Sequence, residues 1–254
     1  MARPAPLDTI VTYTDRLLGT SVIQDYERAA NGLQVENSGR ITRIAAAVDA
    51  SLATVRLAIE RNADLLVVHH GLFWSPSHPW TGKKYELLRL LLENDLAVYS
   101  SHLPLDLHPR LGNNVRLCAA LGLKRLTPFF YDHGRHIGFK SETTIALKEL
   151  ARRLQKATGS QPLVIPGGPE MCRRVGIVTG GAGAELRIAA AEGVDTFVTG
   201  EGPHWTYALA EELGLNVIYA GHYATETFGV KALAAHLAKR FGLPCLFVDH
   251  PTGL

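Results

Sequence analysis

Apolar residues along the chain fall into two alternating kinds of run. Short, near-continuous runs such as Leu65-Leu66-Val67-Val68 and Leu96-Ala97-Val98-Tyr99 read as strands buried on both faces, the parallel-sheet type. Between them lie longer stretches with apolar positions on one side only. Leu52, Val55, Ala58 and Ile59 form such a face, and Ser51 stands where a helix cap is wanted. Taken in order, the pattern predicts helices at about 7–18, 52–61, 85–94, 114–121, 143–157, 184–192, 204–213 and 225–240. It predicts strands near 43–49, 64–69, 96–101, 136–140, 161–165, 174–179, 195–199, 215–220 and 245–249. Residues 27–36, with Asn31-Gly32 as a turn signal, and the Pro-, Gly- and Trp-rich stretch 71–84 read as loops. Residues 126–135 read as a junction between halves. Strands alternating with helices of this length indicate an α/β fold with largely parallel or mixed sheets.

The pattern also repeats. Shifted by 131 residues, Arg43-Ile44 falls on Arg174-Val175, Asp64 on Asp195, Gly71 on Gly202 and Trp74 on Trp205. Beyond the loop after Trp74 the shift becomes 120, and Tyr99 falls on Tyr219, His102 on His222 and Asp106 on Glu226. Matched residue types through two strands and a helix point to an internal duplication. Two similar lobes facing each other would bring both His-x-x-x-acid units to one crevice, at the carboxyl ends of parallel strands where such sheets hold ligands.

Bulk properties narrow the function. At 254 residues the chain can bury a sizeable core, and 46% apolar with 20% charged residues is the balance of an ordinary folded enzyme. A net charge of +2 with no long basic block does not indicate nucleic acid. Cys118, Cys172 and Cys245 are far apart, odd in number and without a CxxC pattern, so they read as reduced, buried thiols. The first twenty residues have no uninterrupted apolar core with a cleavage site, and no apolar run approaches ~18 residues. A cytoplasmic protein with no membrane span is expected.

The chemistry is carried by His69, His70, His102, Asp106, His222 and Glu226. The histidine pair and His102 stand at the ends of apolar strands, and each His-x-x-x-acid unit follows the same logic. Imidazole and carboxylate together suit zinc, manganese, iron, nickel or cobalt. Six protein ligands exceed one zinc site and suit two divalent ions about 3.5–4 Å apart, as in two-metal hydrolases. Adjacent His69 and His70 would point to opposite sides of a continuing strand, so a turn straight after the strand, which Gly71 permits, is expected to let both reach the cluster. His78, His133, His136 and His236 read as surface or lining residues, and His108 and His250, each beside a proline, as crevice-lining ones. The glycine-rich stretch 180–183 follows a strand and opens a helix, so its N–H groups could hold a phosphate, though a tight turn is the simpler reading and the P-loop ending is absent.

The strings NGLQVE, VHHGLFW, HLPLDLHPRLGNN, TGE, AGHYATE and a final FVDHP run in this order through almost the whole chain. Together they closely resemble the Nif-three-like family, also known as GTP cyclohydrolase 1 type 2 homologues. The resemblance implies a dinuclear metal centre and assigns its ligands to His69, His70, His102, Asp106, His222 and Glu226. It implies two related, interlinked three-layer α/β lobes, assembled as a toroidal homohexamer with the metal sites facing an internal cavity. The FVDHP ending departs from the commoner one, in which proline-asparagine-proline follows the aspartate. The expected division is 1–125 and 126–254, with residues 222–254 completing the metal site and packing on the first lobe.

The expected activity is metal-dependent hydrolysis of a small cyclic amide, an amidine or a phosphoester-containing substrate. Glu201 replaces His70 in the second copy and is a candidate general base, or a partner that orients a ligand. The alternatives are a non-catalytic metal-binding scaffold or regulator with protein or nucleic-acid partners, and a metal-dependent oxidase if the ions are iron. No guanine- or triphosphate-reading motif is recognisable.

Overall fold

The apolar runs become the central strands of two mixed sheets in the computed structural model, whose described residues are 3–27, 29–74, 79–132 and 134–254. His78 and His133 lie outside the described residues. Residues 1–108 with 229–250 form one compact unit, and 109–228 with 251–254 form another.

In the first unit the strand order is Cys245–Phe247, Ile44–Asp49, Leu65–His70, Ala97–Ser100 and Gly32–Val35. The first four are parallel and the last is antiparallel. Ala45, Ala47, Leu66, Val68 and Val98 pack with Val55, Ala58, Leu87 and Leu91 from the helices Leu52–Glu60 and Lys83–Glu93. Ser51 caps the first of these as expected: its Oγ accepts from Thr54 N–H at 3.2 Å, and Thr54 Oγ1 accepts from Ser51 N–H at 2.9 Å. The strand Gly32–Val35 lies in a stretch expected to be loop; it is an edge strand held by pairing with Ala97–Ser100, not by any apolar run of its own.

The second unit has the strand order Thr127–Asp132, Arg135–Ala146, Met171–Ile177, Thr196–Thr199, Asn216–Tyr219 and Leu163–Pro166. Only the triplet Met171–Ile177, Thr196–Thr199 and Asn216–Tyr219 is parallel. Two expectations fail here. Residues 126–135 are not a bare junction: they contain the whole strand Thr127–Asp132 and the first residue of the next, Arg135. The following strand runs on through Ala146, where a helix was expected from 143, because Thr143, Thr144 and Ile145 are β-branched and this end of the strand pairs with Met171–Ile177. The helix starts at Leu147. Asn113–Leu121, expected with the first lobe, packs Leu117, Cys118 and Leu121 against Leu150 and Leu154 of the second unit.

The duplication is visible in the pairing register. Ile44 pairs with Leu65, and 131 residues on Val175 pairs with Thr196. The Asp64 carboxylate accepts from Thr42 and Arg43 N–H, and Asp195 accepts from Arg173 and Arg174 N–H in the same way. Ala97 N–H donates to Asp64 O, and Asn216 N–H to Asp195 O, which sets the shift through the third strand at 119, not 120. The residue that restores 120 before His222 is placed there by Gly221, whose φ of 90° an L side chain rarely adopts.

Cys118 and Cys172 are buried and free, with burial pushing the Cys118 thiol up to about 12, whereas Cys245 is exposed. Among the described residues no helix is long and apolar enough to cross a membrane.

Candidate metal centre

In the first unit the parallel strands end side by side, and their last residues build a histidine cluster. His69, His70 and His102 each offer a ring nitrogen within 4.8 Å of the others. The His69 ring centroid is 4.8 Å from those of both His70 and His102. The strand continues through His70 and the expected turn follows at Gly71, but that turn alone does not orient the two rings. Instead each ring is anchored to a different neighbouring strand. His69 Nδ1 lies 2.9 Å from Ser101 O on one side, and His70 Nδ1 lies 2.9 Å from Asp49 Oδ1 on the other. Gly71 then turns the chain, and a Cβ there would collide with the Gln34 side chain, whose Oε1 accepts from Leu72 N–H at 2.6 Å.

His102 stands immediately before the short helix Leu103–Asp106. Its Nδ1 is 2.8 Å from Asp25 Oδ1, and its backbone N–H donates to Asn31 Oδ1 at 2.7 Å. Asp25 also accepts from Asn31 Nδ2, Tyr26 N–H and Leu103 N–H, at 2.8, 2.7 and 3.0 Å. Burial alone would raise the Asp25 carboxyl, but the hydrogen bonds and charge from His102, with those from Asn31 and Tyr26, hold it below the ordinary carboxylate value. Asp106 completes this group, with Oδ2 3.5 Å from His69 Nε2. Trp74 packs edge-on against the His102 ring at 4.8 Å.

In the second unit His222 opens the helix His222–Phe241, earlier than the expected start near 225, and Glu226 lies one turn on. His222 Nε2 is 3.2 Å from Glu226 Oε2, and Nδ1 is 2.8 Å from Glu201 Oε1. Burial works against the imidazolium, yet the two carboxylates outweigh it and raise His222 to about 9. A metal ion there competes with a proton at neutral pH.

One arrangement is common to all four histidines: Nδ1 is held by a carboxylate or carbonyl. A hydrogen bond at one ring nitrogen fixes the tautomer and directs the other toward a metal. Asp25, Asp49 and Asn31 were not singled out in the sequence. Asp49 stood at the end of a predicted strand, which was a usable signal. Asp25 had none, and the Asn31-Gly32 turn signal concealed a brace for Asp25 and His102. Other histidines are placed differently: His236 bonds Tyr13 Oη at 2.7 Å, His136 lies 3.9 Å from Glu192, His108 is buried and His250 exposed.

The loop 180–183 is not a phosphate cradle. Gly180 N–H donates to Thr225 Oγ1, Ala182 N–H to Thr199 Oγ1 and Gly183 N–H to Glu201 O, at 3.1, 3.2 and 3.1 Å. Gly180 has φ 75°, and a Cβ on it would collide with Glu226 Oε1. The glycine makes room for the Glu226 carboxylate. Gly180→Ala is therefore expected to displace Glu226 and weaken metal binding by about 10–100-fold, the usual cost of disturbing a ligand's supports. Metal-resolved mass spectrometry across a chelator series measures this; unchanged affinity would show that Glu226 does not depend on the gap.

The chain is similar to known proteins over nearly its whole length. The family model Duf34/NIF3 (NGG1p interacting factor 3) matches residues 5–252. A GTP cyclohydrolase 1 type 2 homolog of Deinococcus radiodurans is 46% identical over 226 residues, covering 88% of this chain and 86% of the relative. Another, from Halobacterium salinarum, is 44% identical and covers 97% and 98%. The crystal structure of TTHA1606 from Thermus thermophilus is similar at 44% identity and TM-score 0.91, covering 98% of this chain and 100% of that one. Reduced HcgD from Methanocaldococcus jannaschii is similar at 27% identity and TM-score 0.85, covering the same shares.

Proposed function

Because the chain belongs to the Duf34/NIF3 (NGG1p interacting factor 3) family, we propose that it is a dinuclear metallohydrolase acting on a small cyclic amide, an amidine or a phosphoester-containing substrate. The ligands are His69, His70, His102, Asp106, His222 and Glu226. The observation that carries the reading is the Nδ1 anchoring of all four histidines, which leaves the ring orientation set before any metal arrives. Donor chemistry fits divalent zinc, manganese, iron, nickel or cobalt. When bound, two such ions supply a Lewis acid and a source of hydroxide at neutral pH.

The chain's own residues do the rest. Asp49, Asp25 and Glu201 orient His70, His102 and His222 and fix their tautomers. Glu201 is half-exposed, so after bonding His222 it can still accept a proton at the site's edge. This joins its two sequence-based roles in one residue. Trp74 and Tyr26 pack against His102 and restrict water around that ligand.

Loading the full chain with each candidate metal and screening cyclic amides, amidines and phosphoesters tests the proposal. Turnover is expected only in the loaded protein, with its loss on chelation. Turnover that survives in metal-free protein would overturn it, and dioxygen uptake by the iron form without hydrolysis would assign an oxidase instead.

A further inference from the structure

The near-neutral net charge conceals a strongly uneven distribution. Residues 113–125 and 147–158 carry Arg116, Lys124, Arg125, Lys148, Arg152, Arg153 and Lys156 against Glu149 alone. Seven cations and one carboxylate give these 25 residues a charge of +6, so the other 229 carry −4 of the chain's +2. In the structure the two segments are one layer. The helices Asn113–Leu121 and Leu147–Thr158 share a core through Leu117, Cys118, Leu121, Leu150 and Leu154. Arg153 Nη1 ties them together by donating to Leu121 O at 2.9 Å.

The inward faces are used up by this packing, which leaves the cations outside. Arg116, Lys124, Arg125, Lys148, Arg152 and Lys156 are exposed, and Arg153 is half-buried. Glu149 is bonded by both Arg152 and Arg153, which pulls its carboxyl down to about 2, so it neutralises only one of them.

We propose that this helical layer is a docking surface for the phosphodiester backbone of a nucleic acid. Two features favour that partner. Lys148, Arg152 and Lys156 recur every fourth residue, a row with about 6 Å between successive cations. Alternate phosphates of one strand of a duplex lie about 6.8 Å apart along its axis. Second, a helix that binds a membrane surface needs an apolar face to bury in it, and here Leu150 and Leu154 are fully buried in the protein. The contacts are to backbone charge, so binding is salt-dependent and indifferent to base sequence.

The test uses the full chain and a fluorescein-labelled twenty-base-pair DNA duplex, with single-stranded DNA and RNA of the same length, followed by anisotropy from low to high salt. The patch variant is Lys124→Glu with Lys148→Glu and Lys156→Glu. The control, Lys84→Glu with Arg187→Glu and Lys239→Glu, makes the same charge change elsewhere. Circular dichroism verifies that both fold. Wild type is expected to bind at low salt. The patch variant is expected to lose at least tenfold in affinity, and its salt slope on the duplex to shrink by about 0.9 for each phosphate contact removed. The control is expected to keep the wild-type slope. Equal losses in both variants, or no wild-type binding at low salt, would overturn the proposal. So would binding to phosphatidylglycerol vesicles in place of nucleic acid.

Discussion

Replacing His102 with alanine is expected to weaken metal binding by more than the about 10–100-fold that losing a ligand's orienting partner costs. The His102 ring lies 4.8 Å from that of His69 and 5.8 Å from that of His70, so its removal leaves the first unit with two imidazoles and Asp106. The fold is expected to survive. The Asp25 carboxylate would lose one hydrogen bond but keep those from Asn31, Tyr26 and Leu103, so no buried charge is stranded. Asp25→Asn is the graded comparison. It keeps the shape of the support but removes its charge, and its loss should fall within the quoted range. Metal per chain by mass spectrometry across a chelator series separates these outcomes, and melting in excess chelator shows whether the fold has changed. Wild-type affinity in His102→Ala would remove that residue from the centre.

The largest stability effect is expected at Phe197. Its ring is fully buried, stacked on Phe130 at 5.5 Å and set at an angle to Phe129 at 6.0 Å. Gly176 lies against the other side of this cluster, because a Cβ there would run into the Phe129 ring. The glycine and the three rings are fitted to each other, so little can move to fill a gap. Phe197→Ala should therefore cost about 3–5 kcal/mol. That corresponds to a fall in melting temperature of roughly 10 °C for a protein of this size. Phe197→Leu should cost less, because most of the volume is kept. A scanning calorimetry shift under about 2 °C for the alanine variant would mean that the site collapses, contrary to this packing argument.

Much of the candidate site could be read along the chain because its residues stand where apolar strands end. Strand periodicity located His69, His70 and His102 at strand ends, and the duplication paired His102 with His222 and Asp106 with Glu226. The supporting residues were harder to see. Asp25 meets His102 across 77 positions and Asp49 meets His70 across 21. No periodicity connects residues so far apart. The glycines show the same limit. Gly180 read as a tight turn, with anion binding as the alternative, but the space it leaves serves Glu226, a neighbour only in space.

The sequence by itself determined the element types of the parallel strands in both units, the six candidate donors and the duplication. These depend on local propensity, burial pattern and residue chemistry, all of which are written along the chain. Tertiary pairing decided the rest. It made edge strands of residues 32–35 and 127–132, held 135–146 extended where a helix was expected to begin, and gathered scattered cations into one layer. It also chose which carboxylate or carbonyl holds each imidazole. Such outcomes depend on partners contributed by distant segments, whose contribution exceeds the small local preferences that a pattern can reveal.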